Sequence, residues 1–140
     1  MKKLKKFIPF RKKHPQVAVI KLAGVIAASS SLRKGLNLQS IETHLHDAFS
    51  NKRTTAVALV VNSPGGSPVQ SDLIQKRVRD LGQEFKKPIF VFCEDVAASG
   101  GYWIALAGDE IYANASSIIG SIGVVSAGFG FKEALSKLGI

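Results

Sequence analysis

The residues with the clearest chemical potential are Ser99, in Ala97-Ala98-Ser99-Gly100-Gly101, and the glycine pair in Asn62-Ser63-Pro64-Gly65-Gly66. A serine hydroxyl with small neighbours leaves room for an extended peptide backbone and can attack a carbonyl carbon, provided a base takes its proton. Negative charge then builds on the carbonyl oxygen, and backbone N–H groups aimed at it lower the barrier. Losing one such donor typically costs about 2.7–4 kcal/mol. Glycines let the chain approach a ligand closely and turn its N–H groups outward. A helix starting after Ser99 would add unpaired N–H groups and the positive end of a dipole. Taken singly, each segment has a plainer reading: Ser99 as a helix N-cap, and Pro64-Gly65-Gly66 as an ordinary turn.

Both segments follow apolar runs, Ala56–Val61 and Ile89–Cys93, which read as strands covered on both faces. In an α/β sheet, ligands gather beyond the carboxyl ends of the strands, so the two loops are expected to meet at one crevice. Ala97 stands where the nucleophile elbow of α/β-hydrolases has glycine, so that motif is absent.

Gln16–Leu22 predicts a first strand and Gly24–Asn37 a loop. Leu38, Ile41, Leu45 and Phe49 recur at helical spacing, as do Val69, Leu73, Ile74, Val78 and Leu81. His44 and His46 lie two apart on the first of these helices, so they point to different faces and read as surface residues. Glu94–Ala98 predicts a turn, and Ser99 to Ala107 a short helix. Glu110–Ala113 predicts a brief strand, Ile118–Val125 a strand kinked by glycines, and Phe131–Leu138 a last helix. Strands alternating with helices imply α/β architecture with mainly parallel strands.

A chain of 140 residues suits one domain. The formal charge of +9 hints at nucleic acid until it is divided along the chain. Residues 1–13 hold seven of the 19 basic residues and no acid, leaving the rest nearly neutral at +2. A basic binding face spread over the domain, and with it a nucleic-acid partner, is therefore not expected. Residues 1–15 read as a basic disordered tail, and 16–140 as the domain. Charges from Lys2 to Lys13, interleaved with Leu4, Phe7, Ile8 and Phe10, could adsorb to anionic lipid, each contributing about 1 kcal/mol. The apolar stretch Phe7–Phe10 is too short to span a bilayer. The single cysteine, Cys93, excludes an internal disulfide and reads as a small buried hydrophobe. The expected location is cytoplasmic, with the tail read first as a solvated terminus and, as the alternative, in peripheral contact with the inner face of the plasma membrane through Lys2–Lys13.

Asn62-Ser-Pro-Gly-Gly66 after a strand, then Ala97-Ala-Ser-Gly-Gly-Tyr102, then Gly120-Ser-Ile-Gly-Val124 together resemble the signal peptide peptidase (SppA) type of serine peptidase. The likeness runs from about Val17 to Ile140. A looser resemblance reaches the Clp protease subunits and the crotonases. The resemblance implies a ClpP/crotonase-like spiral of ββα units and endopeptidase cleavage of hydrophobic peptides, notably remnant signal peptides. It implies Ser99 as nucleophile, the N–H groups of Gly66 and Gly100 as oxyanion hole, and Ser121 orienting a catalytic lysine. It also implies assembly into homo-oligomeric rings or domes, with no metal and no cofactor.

That base is the departure. In the family the lysine follows the region matching Lys137-Leu138-Gly139-Ile140, and the only lysines after Ser99 are Lys132 and Lys137. Both read as solvated charges on a surface helix. His14, His44 and His46 precede Ser99 and lie in no motif-bearing loop. The expectation is a peptidase domain truncated before its lysine segment and inactive alone. The alternatives are a non-catalytic scaffold or binding subunit, and a crotonase-like acyl-CoA enzyme using the Gly66 turn but not Ser99.

Overall fold

The computed structural model describes residues 14–28, 35–123, 128 and 130–139. The basic segment 1–13, with its expected disorder and lipid contact, lies outside that range, as do residues 124 and 125 of the expected kinked strand.

Within it, β1 (Gln16–Ala23), β2 (Thr54–Ser63), β3 (Ile89–Ala98) and β4 (Glu110–Ala113) lie side by side in that order. Every pairing is parallel, and β5 (Ile118–Gly120) joins the far end of β3. Helix α1 (Leu38–Ser50) connects β1 to β2 and α2 (Pro68–Phe85) connects β2 to β3. A six-residue α3 (Gly100–Ala105) follows β3, and α4 (Lys132–Lys137) comes last. The predicted α/β class with parallel strands is the one the chain adopts.

The periodicities explain which faces meet. Leu22, Val57, Leu59, Val61 and Val91 point from the sheet toward the helices and are fully buried. Ile41, Leu45 and Phe49 of α1, and Ile74, Val78 and Leu81 of α2, close over them in one cluster with Ile104 of α3. Each of these side chains contributes about 1.5–3 kcal/mol by leaving water. Cys93 joins this core, and burial pushes its thiol pKa up. His44 and His46 stay exposed on α1, and Lys132 and Lys137 on α4.

Local signals set the helix ends. Asn37 caps α1 by accepting from the Ser40 N–H at 2.9 Å, while Ser40 Oγ accepts from the Asn37 N–H at 3.3 Å. Ser67 caps α2, Pro68 occupies its first turn, and Lys86 ends it in the left-handed conformation. The last helix is shorter than expected, six residues rather than eight.

Candidate active site

The first loop is built around Ser63. This fully buried side chain donates to the Gly24 carbonyl at 2.7 Å and accepts from the Gly65 N–H at 3.1 Å. Gly65 and Gly66 then take φ of +96° and +144°, which side-chain-bearing residues rarely adopt. Ile26 bridges the turn: its N–H donates to the Gly65 carbonyl at 2.9 Å, and its carbonyl accepts from the Ser67 N–H at 2.8 Å. Those two bonds flank Gly66 and leave its own N–H outside the bridge. Ile26 falls in the stretch read from sequence as loop. Its only signal there is an apolar Val25-Ile26 pair, too short to show a period.

The second loop leaves β3 by a route the sequence did not foretell. Glu94–Ala98 is strand, not turn. Val61 pairs with Cys93 and Ser63 with Ala97, so two steps along β2 match four along β3. Asn62 fills that bulge, its Oδ1 accepting from the Val96 N–H at 3.3 Å and its Nδ2 donating to Asp95 Oδ2 at 3.1 Å. Polar Glu94-Asp95 reads as a turn, but a side chain from the neighbouring strand meets the displaced backbone. Strand pairing then resumes, with Val96, Ala97 and Ala98 beside β5.

Ser99 ends this strand at φ 52°, ψ −120°. Its N–H donates to the Gly120 carbonyl at 2.7 Å, and its half-buried side chain makes no capping bond. The plain N-cap reading therefore does not hold. Such backbone conformations cost a non-glycine residue about 1–3 kcal/mol and cluster at functional sites. Helix α3 spans only a turn and a half, so the expected dipole is short; individual N–H groups are what it offers.

The loops touch. A Cβ added to Gly65 would lie 2.8 Å from each of Ser99 Cβ, the Ala98 carbonyl oxygen and the Gly100 nitrogen. One added to Gly100 would meet Ser71 Oγ at 2.2 Å, and one on Gly101 the Ser63 carbonyl oxygen at 2.6 Å. Gly66, Ser99 and Gly100 line a single cleft of about 510 Å³, walled mainly by Pro68, Val69, Leu73, Trp103 and Ile122. Neither the Gly66 nor the Gly100 N–H donates to an acceptor among the described residues. A hydroxyl and two spare amide donors thus share an apolar enclosure, an arrangement suited to acyl transfer.

Ser121 directly follows Gly120, whose carbonyl holds the Ser99 N–H, and itself has φ 52°. It is exposed, and its neighbours Ile122 and Gly123 reach the cleft wall while it does not. His44, His46, Lys132 and Lys137 do not line the cleft either. Asp72 is the one ionisable side chain among the described lining residues.

Peptidase family S49 matches residues 82–140. Protease 4 of Haemophilus influenzae is 35% identical over 125 residues, 89% of this chain and 20% of that protein. The chloroplastic serine protease SPPA of Arabidopsis thaliana is 31% identical over 128 residues, 89% of this chain and 19% of the relative. A Brucella melitensis protein named Na(+)/H(+) antiporter NhaA is 56% identical over 140 residues, 98% of this chain but 19% of its own length. No described helix of the shared stretch is long and apolar enough to cross a membrane. The chain spans about a fifth of the length of these three relatives. A membrane-bound stomatin-specific protease has the same fold, with a TM-score of 0.57 at 20% identity over 74% of this chain and 46% of that one. That shared fold agrees with the α/β class of parallel strands expected from sequence. The matched family, the named proteases and the shared fold agree: this chain belongs to peptidase family S49, among the SppA-type peptidases.

Proposed function

We propose that residues 16–140 are the nucleophile-bearing part of a serine endopeptidase that cleaves hydrophobic peptides such as remnant signal peptides. Ser99 Oγ attacks the scissile carbonyl while a lysine amine takes its proton, and the N–H groups of Gly66 and Gly100 receive the oxyanion. The carbon–nitrogen bond then breaks, the leaving amine takes the proton from lysine, and water hydrolyses the acyl-serine. The lysine comes from polypeptide outside residues 1–140, and Ser121 orients it. Burial must bring that lysine from about 10.4 toward 7–8 for it to act as a base.

The observation that supports this reading is the close approach of Gly65 to Ser99 Cβ and the Gly100 nitrogen, with Gly66, Ser99 and Gly100 lining one largely apolar cleft. Homo-oligomeric assembly, a cytoplasmic location and peripheral lipid contact through Lys2–Lys13 belong to the same proposal.

Residues 1–140 alone are expected to show negligible turnover of a hydrophobic reporter peptide. A polypeptide continuing through a downstream lysine-bearing segment should cleave it, and Ser99→Ala should abolish that cleavage. Cleavage surviving Ser99→Ala would refute the assignment. A second reading, a binding subunit without catalysis, is favoured by the absence of a lysine or histidine among the described cleft residues. Fluorophosphonate labelling of Ser99 in the extended polypeptide separates the two: a poised nucleophile labels, a scaffold does not.

A further inference from the structure

The cleft is not uniformly apolar. Val69, Asp72, Leu73 and Lys76 recur at i, i+3, i+4 and i+7, so they form one stripe along α2. The first three line the cleft. Asp72 keeps 35% of its side chain exposed and is held by Lys76, whose Nζ lies 2.8 Å from its Oδ2. Lys76 stays outside the cleft and is 66% exposed, so this is a surface ion pair of about 0.3–0.5 kcal/mol, readily exchanged for another cation. Trp103, 43% exposed, lines the same cleft. An indole face and a carboxylate both attract cations, and the surrounding apolar walls weaken competition from water.

We propose that Asp72 selects charge: the cleft takes an extended peptide in which an apolar side chain is flanked by lysine or arginine. The apolar group packs among Val69, Leu73, Trp103 and Ile122, and the cationic group displaces Lys76 from Asp72. This deepens the peptidase reading and rests on the cleft being a peptide site. A glutamate at that peptide position meets the Asp72 carboxylate and is rejected. A neutral side chain leaves the Asp72–Lys76 pair intact and gains nothing from it.

The test uses Trp103, the only tryptophan, as a built-in reporter of cleft occupancy. Capped peptides acetyl-Ala-Leu-X-Leu-Ala-amide, with X as lysine, glutamine or glutamate, are titrated into the 140-residue chain while its emission is followed. The lysine peptide should bind about twofold to fivefold more tightly than the glutamine one, and the glutamate peptide most weakly. Asp72→Asn should erase the ranking among the three peptides. Lys76→Gln removes the competing cation and should strengthen lysine-peptide binding. That opposite sign would not arise if the two residues merely stabilised α2. Equal binding of all three peptides, an equal loss for all three in Asp72→Asn, or no binding of any of them overturns the proposal. Binding needs neither the Ser99 hydroxyl nor a base. Failed peptide cleavage by the extended polypeptide therefore strikes the proposed function, and a missing charge preference strikes only the role of Asp72.

Discussion

Gly65 and Ser99 meet so closely that a methyl group on residue 65 would stand 2.8 Å from Ser99 Cβ. The contact joins the turn after β2 to the end of β3. It is where the glycine pair and the serine become one site.

The approach predicts a graded response to alanine. Gly65→Ala adds a clash to an unfavourable φ, and Gly66→Ala drives a Cβ to 2.0 Å from the Ile26 carbonyl oxygen, where only backbone can give way. Each should lose about 2–4 kcal/mol in urea unfolding. Gly120 also has a positive φ, +103°, but nothing lies within 4 Å of its added Cβ. Gly120→Ala should lose only the backbone strain, about 1 kcal/mol. Equal losses at all three positions would remove close packing as the cause.

Ser99 carries strain that a different residue would relieve. With φ 52° and ψ −120°, Ser99→Gly should stabilise the fold by about 1 kcal/mol, raising Tm by a few degrees, while Ser99→Ala keeps the strain and gains nothing. A thermal melt of both variants checks this. The expected trade, stability against a nucleophile, is common at active sites.

Asn62 is the residue that lets β3 run on toward Ser99. Asn62→Ala strips the acceptor from the Val96 N–H and leaves the bulge unfilled, and should cost about 1–2 kcal/mol. Asp95, the exposed partner of the same amide, should matter less, within about 0.5 kcal/mol for Asp95→Ala. Chemical denaturation of the two variants decides which side of the contact carries the weight.

Asp109 links β3 to α2. Its carboxylate accepts from the Ile89 N–H at 2.8 Å and from Arg79 at 2.8 Å, and these contacts, the backbone one foremost, hold its pKa below the ordinary carboxylate range. A depressed carboxylate contributes stability above its unfolded pKa of about 3.9 and loses it as pH falls through the folded value. Unfolding free energy should therefore drop below about pH 4, and Asp109→Asn should flatten that limb. Because the side chain is 47% exposed, the contribution is about 1 kcal/mol after solvent screening. Parallel acid limbs for both proteins would remove Asp109 as the source.

Ser99, Gly65 and Gly66 were legible in the sequence because each closes a short apolar run, and runs and glycines are local signals. The α/β class followed from the same alternation, as did the buried faces Ile41-Leu45-Phe49 and Ile74-Val78-Leu81. Exposure of Lys132 and Lys137 was likewise readable. The continuation of β3 through Ala98 was not, because its polar residues mimic a turn and the group that completes it, Asn62, belongs to another strand. Ile26 was missed for the same kind of reason: its two bonds are backbone bonds to a distant glycine turn.

The sequence by itself determined the alternation of strands and helices, though not every boundary, and which residues could act chemically, since periodicity, small side chains and turn formers work over a few neighbouring positions. Only the tertiary structure decided that Asn62 offsets the register between β2 and β3, that Ile26 clamps the glycine turn, and that Ser99 twists into its cleft against Gly65. Those outcomes depend on hydrogen bonds and contacts between groups far apart along the chain, whose pairing is set when the sheet assembles.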